Sequence, residues 1–238
     1  MTPTRRFLLT APLLLSLVAA LPGGARAADP APYVTGTQLD LVAYLPPPTL
    51  PGTEADRREQ LFVIATQAQA SPGRIAQAEA DADESVFAMF GPQFGPAFSA
   101  PGLPRATEFF DRIGDTEDAV VDPVKKHFGR IRPFMANPAE IRPLVRASRS
   151  GSYPSGHTTR VTMMAVVLAG MLPEKAATIW ARAEDYAASR VVGGMHYPQD
   201  LDGGRRAGTA IAATMFADSE FLADYALAKV EVRRALGM

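Results

Sequence analysis

The sequence has no cysteine, only three histidines and a single tryptophan. Without cysteine there is no disulfide, no thiolate nucleophile and no thiolate-bound metal. A three-histidine metal site would need His127, His157 and His196 together. A strong charge of either sign is missing too. The net charge is −1, and removing residues 1–27, which hold three arginines and no acid, would make it −4. No basic stripe runs through the remainder, which argues against a nucleic-acid partner. Beyond the N-terminus the longest apolar run, Val161 to Leu172, is interrupted by Thr162. It falls short of the roughly 20 residues a membrane-spanning helix needs. Alternating β-branched runs are nearly absent, which points to an all-α, single-domain helical bundle.

The N-terminus has the three parts of an export signal. Arg5 and Arg6 precede the apolar stretch "LLTAPLLLSLVAAL", and "Ala25-Arg26-Ala27" offers small residues for cleavage. The arginine pair also fits, loosely, a twin-arginine signal. The expectation is a signal peptide over residues 1–27 and a periplasmic protein, exported by the Sec or the twin-arginine route. Cleavage after Ala27 takes 27 of the 238 residues and leaves enough chain for one buried core.

Residues 28–52 read as an extended lead-in, because "YLPPPTLPG" carries four prolines. The helical domain is expected over 53–238. Thr53 and Ser71 are candidate N-caps, with Pro72 at a first helical position. Residues 71–90 read as one helix, and the Gly/Pro/Phe-rich segment 91–104 as a loop. Phe109, Ile113, Val120, Val124 and Phe128 recur at near-helical spacing, with Pro123 expected to kink or restart that helix. A further helix begins at Ser155. Residues 174–190 place Ala176, Trp180, Ala183 and Ala187 on one face, and two amphipathic helices follow. Their abundant Ala and Gly suggest close helix packing, and their outer faces would permit a homodimer.

Three clusters concentrate the chemistry. "KKHFGRIRP" brackets a turn between Lys125 and Arg132, "PSGH" spans 154–157, and "SRVVGGMHYPQD" holds Arg190, His196 and Asp200. Arginine's planar fork and lysine's compact charge both suit phosphoryl oxygens. Ser155 and Gly156 could offer amides where a helix starts. His196, with Asp200 four residues on, could be a nucleophile oriented by a carboxylate, and His157 an acid and base. Taken singly, each part has a plainer use: a solvated basic face, a structural His–Asp pair, a serine N-cap. His127, beside Lys126, reads as a surface or packing histidine.

Together the clusters resemble the tripartite motif of the type 2 phosphatidic acid phosphatase superfamily: K-x6-R-P, P-S-G-H and S-R-x5-H-x3-D. Every fixed position is filled, from Lys125 to Arg132-Pro133, from Pro154 to His157, and from Ser189-Arg190 through His196 to Asp200. "GSYPSGHT", "YLPPP" and "RIRPF" are similar to the class A bacterial non-specific acid phosphatases. This chain departs from several such relatives in having no cysteine, and it carries Tyr197 after the histidine.

The resemblance implies a fold like that of acid phosphatases and vanadium haloperoxidases. It also implies a phosphomonoesterase of broad specificity that needs no metal and no other cofactor. By that likeness Lys125, Arg132 and Arg190, with Ser155 and Gly156, hold the phosphoryl oxygens. His196 becomes a phosphohistidine, Asp200 orients it, and His157 protonates the leaving alcohol. Small phosphoesters are the expected substrates and phosphate or vanadate the expected inhibitors, with transfer to alcohols as a companion reaction. The competing readings are a soluble lipid-phosphate phosphatase, a vanadium-dependent haloperoxidase and a non-catalytic periplasmic phosphate-binding protein.

Overall fold

The computed structural model describes residues 30–238, and the proposed signal peptide over 1–27 lies outside them. The described residues form ten α-helices and two 3₁₀ turns, with no strand among them. None of these helices is long and apolar enough to cross a membrane.

The lead-in is not wholly extended. Asp40 caps a single turn, α1 (Leu41–Tyr44), by accepting from the Val42 and Ala43 amides. The proline run after it is extended and tied to the body. The Tyr153 hydroxyl donates to the Pro46 carbonyl at 2.7 Å, and Gln199 Oε1 accepts from the Thr49 amide at 2.6 Å.

Helix α2 (Glu54–Gln69) starts at Thr53 as expected. The single helix expected over 71–90 is two, α3 (Pro72–Ala80) and α4 (Val86–Phe94). Asp83 accepts from the Ser85 amide, and Ser85 accepts from the Ala88 amide. Short polar side chains that bind nearby backbone break one helix and start the next. Helix α4 then runs through Pro92 into the segment expected to be loop, and stops at Gly95, whose φ of 80° is left-handed.

Helix α5 (Pro104–Phe128) continues through Pro123 and does not restart there. A helical proline removes one donor, but here Val120, Val121 and Val124 are buried and hold the helix to the core. Gly129, at φ 58°, ends it. There follow the short α6 (Pro133–Ala136), then α7 (Gly156–Met171), α8 (Ala176–Val192), α9 (Pro198–Met215) and α10 (Ser219–Ala235).

The buried face of α8 is rotated from the one expected. Ile179, Arg182, Ala183, Tyr186 and Ala187 face inward, whereas Trp180 is exposed. The inward face includes a charged residue, Arg182. It is buried with its Nη2 on Asp81 Oδ1 at 2.5 Å and its Nε on the Met89 carbonyl at 2.7 Å.

Helix α7 lies at the centre, apolar around most of its circumference and buried at eleven of its sixteen positions. Helix α9 crosses it at Gly204 and Gly208. A Cβ at Gly204 would lie 2.8 Å from the Ser155 carbonyl, and one at Gly208 would lie 2.6 Å from that of Thr159. The close packing suggested by the Gly-rich sequence is this crossing. The Ser155 amide also donates to the Asp200 carbonyl at 3.0 Å, which joins the starts of α7 and α9. Because backbone blocks the added methyl, Gly208→Ala is expected to lower unfolding free energy by about 1–3 kcal/mol in urea titrations. An unchanged midpoint would show that the helices separate freely there.

Candidate active site

The three motif clusters meet at one end of the bundle. Lys125 sits in the last turn of α5, and Arg132 follows the Gly129 turn. Gly156 and His157 open α7, Arg190 is near the end of α8, and His196 lies in the turn before α9. All six line one cavity of about 370 Å³. Ser155 and Asp200 stand behind this wall, fully buried. Ser155 acts as N-cap: its Oγ accepts from the Thr158 amide at 3.3 Å, and its own amide is committed to Asp200. His127 is exposed, as its sequence setting suggests.

The imidazole of His196 is buried and its tautomer is set by geometry. Nδ1 lies 2.8 Å from the Ser152 carbonyl, which can only accept, so Nδ1 carries the proton. The lone pair is therefore on Nε2, 3.0 Å from Arg132 Nη1. Burial, reinforced by the charges of Arg132 and Arg190, holds this imidazole well below the ordinary histidine range. It is a neutral base with its free electron pair among cations.

Asp200 does not make the closest contact to the ring, since its Oδ2 is 3.5 Å from Nδ1. It holds the surroundings instead. Ser152 Oγ donates to it at 2.5 Å, the Tyr197 amide at 2.8 Å and Arg130 Nη1 at 2.6 Å. Burial pushes this carboxyl up to about 6 against the pull of Arg130 and the other donors, so it is an anion at neutral pH. Ser152 thus carries both contacts: its carbonyl takes the ring proton and its hydroxyl holds the carboxylate.

The cations are under-compensated. Arg190 is 3% exposed, and its Nε and Nη1 have no hydrogen-bond partner among the described residues. Burial lowers its pKa from the usual arginine value. Arg132 is 4% exposed, and burial and the nearby Arg190 charge push it down to about 10, so it remains a cation. Its Nε donates to the Ser150 carbonyl and its Nη2 to the Ser150 hydroxyl. Lys125 lies directly over Gly156. A Cβ there would meet Nζ at 2.6 Å, so glycine leaves room for the ammonium beside the first amide of α7. Buried donors without partners are costly, and an anion placed among them would satisfy them.

His157 faces the same cavity. Its Nδ1 is 2.8 Å from Glu84 Oε1, and its Nε2 has no partner among the described residues. Burial and Arg190 lower its pKa, partly offset by Glu84. Burial would raise the Glu84 carboxyl, but the bond from His157 and the charges of Arg160 and Lys125 bring it down to about 2. Glu84 escaped sequence reasoning, as did Ser152, Arg130 and Glu117. Glu84 lies in the break between α3 and α4, where the sequence suggested continuous helix. Arg130 and Ser152 stand beside recognised motif positions, but no local pattern marks them.

Sequence comparison agrees with the geometry. A profile of the PAP2 superfamily matches residues 116–222. A non-specific acid phosphatase of Providencia stuartii is 30% identical over 207 residues, covering 84% of each chain. The chain belongs to the PAP2 superfamily, in the branch of the bacterial non-specific acid phosphatases. An acid phosphatase of Zymomonas mobilis is 29% identical to this PAP2 protein over 202 residues, 82% of this chain and 76% of that one. Among solved structures, a bacterial vanadium-dependent iodoperoxidase superposes with a TM-score of 0.57 at 18% identity, over 73% of this chain and 52% of its own. That likeness shows the shared helical fold.

The tautomer is directly measurable in this PAP2 protein. Long-range ¹H–¹⁵N spectra of the ligand-free protein should show His196 neutral and protonated at Nδ1 from pH 5 to 8. A cationic ring at pH 6, or a proton on Nε2, would contradict the Ser152 contact.

Proposed function

We propose that the protein is an acid phosphatase that hydrolyses phosphomonoesters through a phosphohistidine at His196. The observation that carries this reading is the Nε2 lone pair of a buried, neutral His196 in one cavity with the unpartnered guanidinium of Arg190. A phosphoryl group brings the electrophile for the one and the counter-charge for the other.

Lys125, Arg132, Arg190 and the Gly156 amide hold the non-bridging oxygens. Nε2 forms the N–P bond in line as the ester P–O bond breaks, and the Nε2 proton of His157 passes to the departing alkoxide. Water then attacks phosphorus and yields a proton to His157. The N–P bond breaks and phosphate leaves. An alcohol in place of that water gives phosphotransfer. The ring becomes positive as the N–P bond forms, and Asp200, linked through Ser152, lies close enough to stabilise that charge. The protein supplies position and charge, which a loose phosphoryl-transfer transition state chiefly requires. The three cations carry the neutralisation often given to metal ions. Export to the periplasm, read from residues 1–27, is part of the same proposal.

Acid preference follows from His157. It must be protonated to release the alcohol, and burial lowers its pKa, so turnover fails as pH rises. Glu84 opposes this by stabilising the imidazolium. Glu84→Gln removes that charge, lowers the His157 pKa further and should move the alkaline limb of the kcat profile to lower pH. A shift to higher pH would reverse the assigned role.

His196→Ala should lower p-nitrophenyl phosphate turnover by at least about 10³-fold. A variant with most of the wild-type rate would end the nucleophile assignment. Activity should survive EDTA, and vanadate should inhibit as a transition-state mimic. Loss to EDTA with recovery on adding a divalent ion would favour a metal mechanism.

A further inference from the structure

Glu117 is a carboxyl that the mechanism above leaves unused. It projects from α5, is 1% exposed and lines the phosphoryl cavity. Its two oxygens differ. Oε2 accepts from Arg160 twice, from Nη2 at 3.0 Å and from Nε at 3.3 Å. Oε1 is buried and has no hydrogen-bond partner among the described residues. Oε1 converges with Lys125 on the start of α7. A Cβ at Gly156 would lie 3.1 Å from Oε1 and 2.6 Å from Lys125 Nζ.

We propose that Glu117 is a phosphoryl-binding residue in its protonated form, donating from Oε1 to an oxygen of the bound group. The proposal rests on the phosphatase reading of the same cavity and adds a donor to it. Oε2 is saturated by guanidinium hydrogens, so the proton belongs on Oε1. As an acid the side chain completes the cradle beside Lys125 and the Gly156 amide. As an anion it places a negative charge where phosphate must sit.

The surroundings favour the acid. Lys125 and Asp118 of α5, Arg160 and His157 of α7, Glu84 ahead of α4, Arg132, Arg146 and Arg190 face this cavity or touch the carboxyl. Burial, with Asp118 and Glu84 adding, pushes Glu117 up to about 8 against the pull of Arg160 and Lys125. Phosphate affinity therefore carries its own proton requirement, apart from the His157 step in turnover.

The test is calorimetric binding of inorganic phosphate to the whole protein and to Glu117→Gln between pH 5.5 and 9. Glutamine keeps a donor at the same place and cannot ionise. In the wild type affinity should fall by about tenfold for each pH unit above the carboxyl's pKa, and the glutamine variant should lose most of that fall. Equal pH dependence in both proteins would overturn the proposal. If the variant does not fold, wild-type infrared difference spectra with ¹³C-labelled glutamate decide. Phosphate added at pH 9 should create a protonated glutamic acid signal, and its absence would overturn the proposal. Binding is read without turnover, so an active His196→Ala protein would remove the phosphohistidine step and leave this result standing. A wild type that binds no phosphate at any pH would remove both.

Discussion

Positive charge held out of water around one neutral imidazole is the constraint on which the rest of this structure depends. Arg132 and Arg190 are almost fully buried, and Lys125 is nearly so. Desolvation penalises both arginines, and the Arg190 charge adds to the cost at Arg132. Only Lys125 of the three has a carboxylate within ion-pair distance among the described residues, Asp122 at 3.7 Å. The same field that destabilises these cations keeps His196 unprotonated. An anion placed among them would offset this cost, which is the physical basis of the proposed reaction with a phosphoryl group.

Negative charge is kept close but at controlled positions. Asp200 and Glu59 meet Arg130 behind the imidazole, and Arg130 also lies over the Tyr197 ring at 4.3 Å. That network fixes Ser152 and so the ring tautomer. Glu84 orients His157 from the opposite wall, and Glu117 stands next to Lys125. Three carboxyls thus stand in three environments around one cavity: Asp200 behind the imidazole of His196, Glu84 on His157, and Glu117 on Arg160. The arrangement relies on the α7–α9 crossing, where glycine lets backbones approach and the Ser155 amide reaches the Asp200 carbonyl.

The all-α fold and six of the eight proposed site residues on the cavity wall were legible in the sequence. Asp200 was read as the residue that orients His196, whereas Ser155 was read as a donor to phosphoryl oxygens and its place behind the wall was not legible, because spacing does not distinguish touching a ligand from holding the residue that does. The helix break at 81–85 was missed, although Ser85 is a capping residue. The apolar residues on either side suggest one helix, and the capping hydrogen bonds appear only in three dimensions. Pro123 does not restart α5, because tertiary burial of its neighbours outweighs one lost donor.

What the sequence by itself determined is the set of candidate reacting groups, because motif spacing and side-chain type follow from the order of residues. It also determined the helical architecture through apolar period and the lack of strand patterns. Only the tertiary structure decided their states of protonation and their partners. Those depend on burial and on charges that come from distant segments, as Glu84 reaches His157 across 73 positions and Arg130 reaches Asp200 across 70. A pKa is a property of the surroundings, and the surroundings exist only once the chain has folded.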